Sequence, residues 1–385
     1  MKKALLMVAG LLLFASVTQA LAALPASETA LSEDGTAYEI NPDNEGRLWI
    51  TDYRAGEIWW VDPASGAYTR YTLPDSGNPS DARRSGDFFW WVDSVCKQIC
   101  RATVENGNYI CWAVPEATEF FATAIDATGS LWVTDLNSST FYRFVPGQNN
   151  LCTYHLSNPG YTDYVVSYPG TIWIGSFLGG RARIYRIDTL SNGYVYWELQ
   201  EYSTLIGMAV DEEGDLWYSD YVSQVVAEIH PGMAPTDPDV LTSYNYPNFS
   251  SPNNIAIDGD TIWFSNHNTQ IGSLDTTVAD NDTTILNNSV GGTFSPTCKD
   301  NLSSVSGELV VVNGFLAWNS TFYPMEYNQD GWQVISIPSG TASTQGITVL
   351  NEMVYAVDNG RQLLLRLPVH PPEYPNHVYL PLIER

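Results

Sequence analysis

Positive charge is what this chain has least of. Lys plus Arg total 17 against 43 Asp plus Glu in 385 residues, a formal net charge of −26. Such a field repels phosphate backbones and anionic lipid, which excludes nucleic acid as a partner and favours cationic ones. Long apolar runs are as scarce. The one at Ala4 to about Val17 follows Lys2 and Lys3, precedes Ala20-Leu21-Ala22, and falls short of the roughly 20 residues a spanning helix needs. Its layout predicts a secretory signal over residues 1–22, hence a secreted or extracytoplasmic protein without a membrane span.

Cysteine is limited to five residues, an odd number. Cys96 and Cys100 have no second pair at zinc-site spacing, so the cysteines read as core residues with at most one or two bridges. The five histidines form no HxH, HExxH or HxxxH pair, and Gly-x-Ser-x-Gly and Walker loops are missing. A histidine-rich metal motif, covalent serine catalysis and nucleotide binding therefore find no support in motifs. Helical periodicity is absent after residue 22, where β-branched and aromatic runs alternate with Gly, Asn, Asp and Pro clusters.

What is present is a repeat. Leu48-Trp-Ile-Thr-Asp52 recurs as Phe89-Trp-Trp-Val-Asp93, Leu131-Trp-Val-Thr-Asp135, Ile172-Trp-Ile-Gly-Ser176, Leu216-Trp-Tyr-Ser-Asp220 and Ile262-Trp-Phe-Ser-Asn266. Two weaker copies follow, Leu309-Val-Val-Val-Asn313 and Val354-Tyr-Ala-Val-Asp358, and copies lie 41 to 47 residues apart. Periods of roughly 40–45 residues mean four-stranded propeller blades. The expectation is an all-β propeller of eight blades, with seven as the alternative if the first or last unit is incomplete. Its domain would cover 24–368, followed by a Pro-rich tail over 369–385 with a YLPL-type ending suited to surface retention or ring closure. The last unit lacks a fourth strand, which Ala26 to Ser32 is expected to supply ahead of Val378 to Leu382. One tryptophan per repeat reads as inter-blade packing. The recurring Asp52, Asp93, Asp135, Asp220 and Asp358 read as carboxylates holding turn amides.

In its sixth unit, Ser251-Pro-Asn-Asn-Ile-Ala-Ile-Asp-Gly-Asp-Thr-Ile-Trp-Phe-Ser-Asn-His-Asn-Thr-Gln-Ile-Gly-Ser-Leu274, the chain resembles a repeat of the streptogramin B lyase (virginiamycin B lyase) family. More loosely it is similar to NHL-repeat and SMP-30/gluconolactonase propellers. The first resemblance implies elimination chemistry on a cyclic depsipeptide, run by a His and a magnesium-binding carboxylate in a Glu-Pro-His-Gly context. Here those places hold Ser251, Pro252, Asn253 and Asn254, and no His-Gly pair occurs anywhere. Without a positioned base, roughly 10²–10⁴ in rate is forfeited.

The SMP-30 resemblance implies one divalent ion at the channel mouth, and Asn253, Asp163 and Asp81 stand at similar starts of inner strands, an oxygen set suited to Ca²⁺ or Mg²⁺. His267, following a second strand, is the candidate proton carrier. The reading favours a monomeric binding or interaction module for a small molecule, glycan or protein at the channel mouth. A metal-dependent lyase or lactonase acting on a cyclic ester is the alternative.

Overall fold

A computed structural model describes residues 23–31, 35–74, 77–156, 160–178, 180–201, 203–232, 239–245, 252–266, 270–286, 290–300, 302–337 and 344–369. The strand pattern forms as expected: strands such as Ala67–Thr72 mix buried and partly buried positions, second strands such as Leu48–Asp52 are buried throughout, and turn residues bound both. Blade 1 shows the order of elements, with an inner strand Ala37–Pro42, then Leu48–Asp52, Glu57–Val61 and Ala67–Thr72, each antiparallel to the one before. Five of the six sheets contain one such unit, and the nine-stranded sheet contains two. The described strands therefore make seven blades, where the repeat count predicted eight. Their inner strands are Ala37–Pro42, Pro79–Ser85, Phe120–Ile125, Tyr161–Tyr168, Leu205–Val210, Pro252–Asp258 and Thr344–Leu350. Each neighbours the next, and the seventh returns to the first.

The physical reason for the miscount lies in residues 276–330. They are inserted in the turn between the third and fourth strands of blade 6, where Asp275 N–H donates to Gly331 O at 2.7 Å. They build no blade. Instead they run backwards round the rim and add a fifth strand to one blade after another. Asp282–Leu286 pairs with blade 5, Val290–Thr293 with blade 4, Thr297–Asp300 with blade 3, Ser304–Glu308 with blade 2 and Val310–Phe315 with blade 1. Asn319–Gln329 then pairs first with blade 7 and next with Trp332–Ser336, the fourth strand of blade 6. At 55 residues this belt is of the order of one 41–47-residue repeat, so Leu309-Val-Val-Val-Asn313 falls in step with the repeat by coincidence of length.

Ring closure follows expectation. Ala23–Ala30 pairs with Leu363–Pro368, from Ser27 opposite Arg366 to Ala30 opposite Leu363, so the N-terminal segment supplies the fourth strand of blade 7. The tail from 370 onward lies outside the described residues.

The apolar core is divided among seven seams, one between each pair of adjacent blades. Each seam receives one repeat aromatic, namely Trp49, Trp90, Trp132, Trp173, Trp217, Trp263 or Tyr355. Fourth-strand aromatics stack against them, as in Trp90 with Trp112 at 6.0 Å and Trp173 with Trp197 at 5.6 Å. The belt also gives each seam an apolar residue: Ala279, Leu286, Phe294, Leu302, Leu309, Leu316 and Tyr323, spaced seven or eight apart. Seven or eight extended residues reach about 25 Å, so successive belt side chains meet successive seams. The belt amides of Leu309 and Leu316 are anchored on the Gly107 and Gly66 carbonyls at 3.0 and 2.7 Å.

The recurring aspartates act as loop braces. Asp135 accepts the Thr118 and Glu119 amides at 2.9 and 2.7 Å, while Asp220 accepts those of Thr204, Val222 and Ser223. Two bridges form, Cys100–Cys111 within blade 2 and Cys152–Cys298 between blade 3 and the belt, leaving Cys96 exposed. No helix among the described residues is long and apolar enough to cross a membrane.

Candidate ligand site in the central channel

Every inner strand breaks register near its start, and these β-bulges turn extra side chains to a common end of the axis. The residues carried there are Tyr38 and Glu39 in blade 1, Ser80 in blade 2, Phe121 and Ala122 in blade 3, Asp163 and Tyr164 in blade 4, Ile206 in blade 5, and Asn253 and Asn254 in blade 6. Second-strand hydroxyls tie neighbouring bulges together. Thr134 Oγ1 accepts the Ala122 amide at 3.1 Å and donates to Asp163 O at 2.7 Å, and Ser219 Oγ donates to Asn253 O. Gly207 permits the close approach of blades 5 and 6, since a Cβ there would sit 2.6 Å from Asn253 O.

Below the bulges lies an open cavity of about 810 Å³, walled at its upper end by Glu39, Asp81, Arg83, Phe121, Tyr164 and Asn254. Glu39 Oε1 accepts Asn254 Nδ2 at 3.1 Å, which links blades 1 and 6. Burial, reinforced by the Asp81 carboxylate, pushes the Glu39 carboxyl up to about 8, and Arg83 and the Asn254 amide offset only part of that rise. Glu39 therefore holds its proton at neutral pH. Asp163 is pushed up to about 7 by burial. Beside them Phe121 meets the Tyr38 ring edge-on at 6.5 Å and the Tyr164 ring at 5.3 Å, a set of aromatic rings contributed by three blades.

The sequence candidates are placed as follows. Asp81 lines the cavity, but its oxygens already accept Asn41 Nδ2 at 2.7 Å and the Thr123 amide and hydroxyl, both at 2.8 Å, with Arg83 Nε at 3.5 Å. Asp163 and Asn253 both lie on bulges, with Asn253 buried. His267 lies outside the described residues. Calcium and magnesium seek six or more oxygens, and both Asp81 oxygens are already engaged, Oδ1 by Asn41 and Oδ2 by Thr123, so a cation at Asp81 would compete with those donors. Among the described residues, the His/Cys/Asp/Glu side chains close enough to share one ion are Asp215, Glu228 and His230, in blade 5.

Glu39, Arg83, Phe121 and Tyr164 were not singled out from sequence, and Asn254 entered only as a place in the family motif. The signal for most of them was available, since they fall at or within two residues of the inner-strand starts that supplied Asp81, Asp163 and Asn253.

Seven radial four-stranded sheets, a common axis and a channel lined by bulge residues define a β-propeller. No family model and no curated protein matches the chain. Solved structures do. Virginiamycin B lyase from Staphylococcus aureus, as the selenomethionine protein, is similar at 16% identity with a TM-score of 0.64, over 89% of this chain and 98% of that one. A streptogramin B lyase structure gives 16% and 0.65 over 91% and 99%. A catalytically inactive histidine-to-alanine variant of the Staphylococcus aureus lyase with quinupristin gives 17% and 0.64 over 89% and 98%. In fold, this chain is streptogramin lyase-like.

Proposed function

We propose that this protein is an exported propeller that binds a small ligand carrying a positively charged nitrogen in its channel and does not break it. The observation that carries this reading is the Glu39 carboxyl, held by Asn254 beside Asp81 in a channel end that also carries Phe121 and Tyr164. Carboxyl groups and aromatic rings in one site suit an ammonium or guanidinium group. Asn253 occupies the place where the family resemblance puts a His, and an amide cannot serve as the general base. Export is supported by two disulfides, which persist in oxidising compartments.

The test uses choline and spermidine as calorimetric probes and quinupristin as a turnover probe. Saturable amine binding is expected, weakened at least tenfold in Glu39→Gln and accompanied by proton release near neutral pH, because a bound cation drives the Glu39 proton off. Quinupristin is expected to stay intact. The second reading, a metal-dependent lyase or lactonase, rests on Asp81 and the raised Asp163. Magnesium-dependent opening of quinupristin or of a lactone, abolished by Asn253→Ala, would replace the first reading with it.

A further inference from the structure

Away from the channel, a groove of about 640 Å³ lies between blades 4 and 5, with Tyr168, Thr171, Trp173, Arg186, Asp215 and His230 among its walls. His230 Nδ1 lies 2.6 Å from Asp215 Oδ2, and its Nε2 lies 2.9 Å from Glu228 Oε2. One ligand atom from each of these three residues falls within 4.8 Å of the others. Asp211 lies beside Glu228 but is engaged elsewhere, accepting Trp217 Nε1 at 3.1 Å and the amides of Glu213, Gly214 and Asp215. Two carboxylates thus flank one imidazole, with Asp211 beside one of them, an excess of negative charge at a partly buried position.

The facing wall carries polar groups of its own. In blades 1, 3 and 5 the repeat tryptophan donates its indole N–H to an aspartate of the first turn: Trp49 to Asp43, Trp132 to Asp126 and Trp217 to Asp211. In blade 4 that turn is the tight Pro169-Gly170 hairpin without an acid, and Trp173 Nε1 is buried with no partner. The Arg186 guanidinium sits over the same indole at 5.7 Å and makes no ion pair among the described residues. A buried donor and a guanidinium on one wall, opposite an imidazole with carboxylates on the other, suit a cation whose remaining coordination is completed by an anionic oxygen.

We propose that Asp215, Glu228 and His230 form a site for a divalent transition-metal ion of the zinc class, with an open position facing this groove. One imidazole nitrogen and two carboxylate oxygens are the donor set such ions take, and a catalytic-type zinc site has three protein ligands. With bonds of about 2.0–2.2 Å, an ion holds its ligand atoms roughly 3.3 Å apart, so an ion at Nδ1 needs His230 and Asp215 to separate by less than an ångström and Glu228 to turn from Nε2 towards the ion.

The experiment uses the untagged, disulfide-bonded chain, stripped with a chelator and titrated with Zn²⁺ by calorimetry, with Co²⁺ loading followed by visible absorption. One equivalent of Zn²⁺ is expected. His230→Gln should weaken its binding at least tenfold and remove the cobalt band, whereas Glu39→Gln should change neither. If His230→Gln lowers the melting temperature of the metal-free protein, Asp215→Asn is read in its place. Absence of saturable one-to-one binding, binding that survives both His230→Gln and Asp215→Asn, or binding lost in Glu39→Gln would each overturn the proposal.

Discussion

The ring and the belt are both antiparallel β-structure, yet they are built on opposite terms. A blade strand such as Leu131–Asp135 is buried at every position, whereas the belt strands Val290–Thr293, Thr297–Asp300 and Ser304–Glu308 are exposed at every position. The ring gains its stability from broad seams filled by large aromatics. The belt relies on backbone pairing to strands already in place, one apolar side chain per seam, and a single disulfide. Nothing in the belt's own composition would hold it as a sheet, so its order depends on the ring, while the ring depends on it only through the seam contacts. Blade 6 is the exception, since its fourth strand follows the belt in the chain and completes only after the circuit.

The Cys152–Cys298 bridge tests this comparison most severely. It spans 146 residues against 11 for Cys100–Cys111. On the chain-entropy account, replacing the longer pair with serines should cost about 5 kcal/mol and the shorter about 3 kcal/mol. Guanidinium unfolding of the two double variants measures both, and equal costs would mean that the belt stays localised on the ring in the unfolded reference.

Truncating a ring aromatic comes next. Trp132→Ala removes a fully buried indole and its 2.8 Å bond to Asp126, and should cost about 3–5 kcal/mol in a single global transition. Phe294→Ala on the belt should cost about 3 kcal/mol, the lower end for such truncations, because Phe294 sits at the outer margin of its seam against Phe141, Tyr154 and Tyr194. The difference sought is in kind as well as size. Hydrogen exchange should show amides near 290–300 losing protection in Phe294→Ala while blade amides keep theirs, and uniform loss across blades would show ring and belt to be one cooperative unit.

The smallest effect concerns the channel and depends on pH. The Glu39 carboxyl lies at about 8 in the folded chain against an ordinary 4.5. Ionisation therefore favours the unfolded chain, and the contribution present below about pH 4.5 is lost as pH rises towards 8. Glu39→Gln should melt higher than the parent at pH 8, with the gap narrowing at pH 5. A gap that widens towards acid would mean that Glu39 is charged in the native channel.

Much of the ring was legible in the sequence. Leu48-Trp-Ile-Thr-Asp52 and its relatives predict the second strand, the seam aromatic and the bracing aspartate, and all three roles appear in the structure. Closure by the N-terminal segment was also legible, because the last unit visibly lacked a strand. The belt was misread because its length imitates a blade. Its own rhythm, Leu286, Phe294, Leu302, Leu309 and Leu316 at seven- and eight-residue steps, is too sparse to define an alternating strand or an amphipathic helix by itself. Such a spacing has meaning only beside a rim whose seams recur at the reach of seven or eight extended residues, about 25 Å.

The sites divide in the same way. Asp81 and Asn253 were found as inner-strand starts, but the proton held by Glu39 and the His230 cluster were not, since no motif spacing encodes them. Residues 39 and 254 meet only because seven inner strands close on one axis, and Glu228 and His230 meet Asp215 only by pairing across blade 5. Local sequence determined which segments are strands and which faces they bury, because that information repeats within a few residues. The tertiary structure alone decided how many blades share the ring, where the surplus chain goes, and which polar groups are forced together away from water, because each of these rests on pairing between residues far apart in the chain, as Thr69 with Asn313.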